Sequence, residues 1–88
     1  MARFQTVDLS PYRFSVRQVD FLRAEVPSAP SPFALIRYSV NGVEQREALR
    51  LDLHKRSFLD QPAVGGGIGF REAAPMIADA LREAFPSR

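Results

Sequence analysis

Asn41-Gly42 separates two stretches of similar length, Phe33 to Val40 and Val43 to Leu53, and this placement limits the fold more than any other feature. Asn-Gly is the preferred pair for a two-residue type I′ hairpin turn, in which both central residues need a positive φ. With Asn41 and Gly42 as the loop, the register pairs Val40 with Val43, Tyr38 with Gln45, Ile36 with Glu47 and Ala34 with Leu49 on one side of the ribbon. The other side pairs Ser39 with Glu44, Arg37 with Arg46, Leu35 with Ala48 and Phe33 with Arg50. The first side is mostly apolar and continues into Leu51 and Leu53. The second is mostly charged and continues into Asp52, His54 and Arg56. That pattern describes an antiparallel sheet with one buried and one wet face.

Composition sets the scale. Eighty-eight residues make one domain with a thin core, and 45% hydrophobic and 25% charged residues match an ordinary globular chain. The absence of cysteine removes disulfides, thiolate nucleophiles and cysteine-ligated metals. With no apolar h-region near the start and no long apolar run, the expectation is a cytoplasmic protein outside the membrane. The isoelectric point of about 9.7 overstates basicity. The net charge is +2 and eleven of the twelve cations are arginine, whose high pKa lifts the value. Residues 43–60 carry four cations against four acids, and residues 61–88 three against three. No basic block of the kind that neutralises a row of phosphates is present.

Prolines and glycines punctuate the rest. Pro27, Pro30 and Pro32 suit an extended connector. The Gly-rich stretch 61–69 leads to a C-terminal helix, because Phe70, Ala73, Ala74, Ile77, Leu81, Ala84 and Phe85 recur at the spacing of one apolar helical face. Pro75 is tolerated in a first turn, which predicts a regular helix over about 73–85 with Phe70 to Glu72 as an irregular lead-in. In the N-terminal third, Tyr12, Phe14 and Val16 alternate, and Val19 and Phe21 resume after a slip at Arg17-Gln18 that a β-bulge would absorb. A helix starting at Ser10-Pro11 competes with this strand. The aromatic and β-branched content favours a strand over about 12–26, and Arg3 to Leu9 could add a short edge strand. The expected fold is α+β: an antiparallel meander of three or four strands (about 12–26, 33–40 and 43–54) with one amphipathic C-terminal helix on one face.

The chemical inventory is sparse. His54, the only histidine, shares its face with Asp52 but has no accompanying nucleophile, and none of the seven serines lies in a GxSxG elbow. Metal ligation would have to rest on carboxylates, and no cofactor or metal is implied. Glu44 and Glu47 fall on opposite faces, while Asp79 and Glu83 are helical neighbours that look like solubilising charge. The glycines ahead of the helix, Gly66, Gly67 and Gly69, with Arg71, form a possible anion-binding loop but match neither the P-loop nor the dinucleotide fingerprint. The wet face concentrates Phe33, Arg37, Arg46, Arg50, His54 and Arg56. These residue types suit a protein interface, including a homodimer, or the stacking and phosphate contacts of a single-stranded nucleic-acid binder. The sequence therefore points to a non-enzymatic interaction module that uses a sheet edge or this arginine face, with nucleic-acid binding as the alternative.

Overall fold

A computed structural model describes residues 4–27, 32–62 and 67–85. Within them a seven-stranded antiparallel sheet carries one C-terminal helix, an α+β fold. The strands are β1 (Phe4–Asp8), β2 (Ser15–Val16), β3 (Val19–Pro27), β4 (Phe33–Val40), β5 (Val43–Glu44), β6 (Leu49–Asp52) and β7 (Ser57–Phe58). The helix α1 spans Gly67–Ala84. The sheet runs β1-β3-β4-β6-β7, with β2 beside β1 on the flank of β3 and β5 beside β6 on the flank of β4. Seven strands thus fill five positions, more than the three or four the sequence suggests, because turns divide segments that look continuous.

The central hairpin forms at Asn41 and Gly42, whose φ values of 51° and 83° are the positive pair that the turn needs. Val40 pairs with Val43 and Ser39 with Glu44, and Gln45 N–H still reaches the Tyr38 carbonyl at 2.9 Å. Beyond that the register slips. Ile36 faces Leu49 and Ala34 faces Leu51, not Glu47 and Leu49, and Leu35 and Phe33 face Arg50 and Asp52. The chain takes up two extra residues between β5 and β6. A slip of two preserves side-chain alternation, so Ala34, Ile36, Tyr38, Leu49 and Leu51 all stay in the core. A slip of one would have expelled them.

The second half of the expected strand 43–54 ends at Asp52. Its carboxylate accepts N–H bonds from His54 and Lys55, both at 2.9 Å, and Arg56 takes a φ of 58° to close a four-residue turn into β7. That role buries Asp52, which the alternation had put on the wet face. Ser39 of that face is likewise buried, whereas Val43 at the hairpin tip is 64% exposed.

The N-terminal third is strand rather than long helix, but in pieces. Helix-favouring Ser10-Pro11 makes only a single 3-10 turn, Ser10–Tyr12. Arg17-Gln18 is a hairpin turn, not a bulge: Val16 pairs with Val19, and Gln18 takes a φ of 64°. The bulge lies further on, at Leu22 between Phe21 and Arg23, and it switches the buried set from Val19 and Phe21 to Ala24 and Val26.

The helix starts at Gly67 and encloses Pro75 in its interior, where the expected start was near Ala73. Interior proline costs about 3 kcal/mol, and burial of one large side chain returns about 1.5–3 kcal/mol. Phe70 supplies that burial, aided by Ala73 and Ala74, and it stacks on Phe58 at 4.5 Å and Phe21 at 6.1 Å. Gly69 brings this first part of the helix against β2: a Cβ there would lie 2.8 Å from Val16 Cγ1.

Candidate functional site

Cross-strand pairing draws the charged side of the sheet into a dense lattice. The bulge at Leu22 sets Arg23 opposite Arg37, an arrangement that is repulsive unless each guanidinium finds a carboxylate. Each does. Arg23 makes a two-pronged contact with Glu44 at 2.8 and 3.2 Å. Arg37 holds Glu25 at 3.0 Å and also donates to the Arg46 carbonyl at 2.7 Å, fastening the detour between β5 and β6.

At the other end Arg50 donates through Nε and Nη2 to the two oxygens of Asp60, at 3.0 and 2.9 Å. Its backbone N–H reaches the same carboxylate at 3.0 Å. Asp60 therefore ties the chain leaving β7 to β6. Arg56, in the β6–β7 turn, pairs with Asp79 of the helix at 2.7 Å.

The expected binding residues thus fall into different roles. Arg37 and Arg50 belong to the lattice, while Arg56 braces the helix and is not part of the sheet face. His54 stands exposed in the turn, and the Arg46 side chain has no ion-pair partner among the described residues. Phe33 is 38% exposed at the start of β4. Gly67, Gly69 and Arg71 lie within the helix rather than in a loop, and Gly66 falls outside the described residues.

No sequence pattern marks Arg23, Glu25 and Asp60 as partners, and Asp79, which looks like solubilising charge, is in fact the mate of Arg56. They lie 10 to 23 positions from their mates, beyond any local pattern. Glu44 shows in the sequence as a carboxylate of the wet face, but its mate is Arg23 on β3, across the intervening β4.

Local electrostatics follows from these contacts. The Arg23 guanidinium holds the Glu44 carboxyl below its ordinary range, and Arg50 does the same for Asp60 through its side chain and backbone N–H. Asp52 is lowered by the N–H bonds of Lys55 and His54, and Asp8 by the backbone N–H and then the hydroxyl of Ser10. A carboxyl whose folded pKa is depressed contributes stability in full above the ordinary values of about 3.9–4.3, and that contribution is lost as pH falls through the lower folded values. The denaturation midpoint is therefore expected to stay level from neutral pH down to about 5 and to fall below about 4. A midpoint that stays level to pH 2 would contradict this lattice. In Arg50→Gln, the Asp60 carboxyl should titrate closer to its ordinary value, a change that carbon-detected NMR resolves.

Two shallow grooves flank Asp60 and Gln61. The larger, about 520 Å³, separates Glu47–Leu49 from Leu59–Gln61. The smaller, about 280 Å³, lies against Phe58, Phe70 and Arg71. Among the described residues no group of three or more His, Cys, Asp or Glu side chains is placed to hold a metal, and no helix is long and apolar enough to cross a membrane.

The two edges of the sheet differ. β7 has two residues, whereas β1 has five and, among the described residues, no strand on its outer side. Leu9 N–H donates to the Leu22 carbonyl at 3.0 Å, continuing the β1–β3 register. Alternation along an antiparallel pair then turns the backbone groups of Gln5 and Val7 toward β3, and those of Phe4, Thr6 and Asp8 outward. Pro27 opposite Phe4 fits this phase, since that position needs no donor from β3. No backbone partner for Thr6 or Asp8 occurs on the outer side among the described residues. Proline, lysine and bulges, the usual means of blunting an edge, are absent from Phe4–Asp8.

Comparison with protein-family models, curated proteins and solved structures finds no match for this chain.

Proposed function

We propose that this chain is a non-enzymatic protein-interaction module that associates through the outer edge of β1, and that it does so with other copies of itself. The observation that carries this reading is the open main-chain edge at Thr6 and Asp8 among the described residues, on β1, which is longer than the other outer strands β2, β5 and β7. Edge pairing takes its affinity from main-chain hydrogen bonds and needs no deep pocket. The arginine lattice supports the choice of the edge over the face. A phosphate or a partner carboxylate would have to displace Glu25, Glu44 or Asp60 from contacts that are already made.

A five-residue edge buries little surface, so association belongs to the weak, rapidly exchanging class. Light scattering across a dilution series should show average mass rising with concentration. Thr6→Pro removes an outward N–H without breaking a β1–β3 bond, and it should hold the protein at monomer mass while circular dichroism shows the fold intact. Monomer mass for the wild type at every concentration, or equal association by Thr6→Pro, would refute the reading. Tight, salt-sensitive binding of a labelled single-stranded oligonucleotide would instead favour a nucleic-acid role.

A further inference from the structure

We infer that two copies pair antiparallel with Thr6 on the two-fold axis, each Thr6 opposite the other and Phe4 opposite Asp8 at both ends. This rests on the proposed edge association and specifies its register. Within β1 only Phe4, Thr6 and Asp8 present outward backbone groups, so hydrogen-bonded pairing of two β1 edges must set these positions against one another.

Centring on Thr6 uses all three in both copies. Shifting so that Thr6 meets Phe4, or Thr6 meets Asp8, leaves one outward position of each copy unpaired. Centring on Asp8 places two carboxylates directly opposite, which is destabilising. With Thr6 at the centre, the Asp8 residues stand at opposite ends of the paired strands, roughly 14 Å apart along the strand at about 3.4 Å per residue. That exceeds the screening length of about 8 Å at physiological ionic strength. Asp8 is the only charged residue of Phe4–Asp8, so no other repulsion arises within the pair.

The register has a structural consequence. Residues directly opposite in an antiparallel pair share a face, so the two sheets merge into one with both helices on the same side. The two arginine–carboxylate lattices then form a single continuous surface on the other side.

The chain has no cysteine, so a single introduced cysteine can form a disulfide only between copies. In this register Thr6→Cys places the two Cα atoms about 5.5 Å apart, within disulfide range. Asp8→Cys places them far outside it. Under mild oxidation Thr6→Cys should convert to a covalent dimer while Asp8→Cys remains monomeric. In the wild type, amide exchange at Thr6 and Asp8 should slow with rising concentration, and exchange at Val7, already bonded to β3, should not. Concentration-dependent association with cross-linking through Asp8→Cys rather than Thr6→Cys overturns the register and leaves the edge reading intact. Absence of any concentration dependence in mass or exchange overturns both.

Discussion

Leu51→Ala is expected to lower the unfolding free energy by about 2–5 kcal/mol, read as a fall in the urea midpoint with an unchanged denaturant slope. Leu51 is fully buried in β6, paired with Ala34 on one side and Phe58 on the other, and it packs in the same core as the helix. Its neighbours offer little room to close the space, since Ala34 is already small and the strands are held by their ladders. A domain of this size is stable by only about 4–13 kcal/mol, so the loss is a large fraction of the whole. Arg50→Ala, one residue away on the opposite face, should move the midpoint much less. A near-neutral Leu51→Ala beside a ruinous Arg50→Ala would mean that the faces are inverted.

Phe70→Ala is expected to cost about 3–5 kcal/mol. Phe70 joins Phe58 on β7 and Phe21 on β3 in a stacked trio, with Phe21 and Phe58 themselves 5.7 Å apart. Its removal leaves a cavity at the one place where helix, central sheet and final strand meet. Phe70→Leu should recover a good part of the loss, because the volume is largely refilled. If Phe70 were instead the irregular lead-in that Pro75 suggests, both variants would be nearly neutral in urea denaturation.

Local chemistry made some elements legible and long-range packing hid others. Asn41-Gly42 announces its turn because positive φ is a property of those two residues. The buried row Ala34, Ile36, Leu49 and Leu51 was readable through alternation, although the pairing inside it was not. Nothing local marks where two extra residues leave the ladder. The helix start was misplaced for a related reason. Proline's local cost is plain in the sequence, whereas the gain from burying Phe70 depends on Phe21 and Phe58, 49 and 12 positions earlier. Asp52 lost its place on the wet face because its carboxylate serves the turn that follows.

The candidate site divides in the same way. Clustering of Arg37, Arg46 and Arg50 follows from the hairpin, but whether Arg37 and Arg50 are available to a partner depends on Glu25 and Asp60. The open edge at β1 was visible only as a short possible strand, since no sequence pattern states which strand ends up outermost. By itself the sequence determined the class of fold, the central turn and which residues of the hairpin avoid water, because these follow from backbone preference and a period of two. Tertiary structure alone decided the register beyond the turn, the pairing of the arginines and the choice of edge, because each depends on contacts between segments that are remote along the chain.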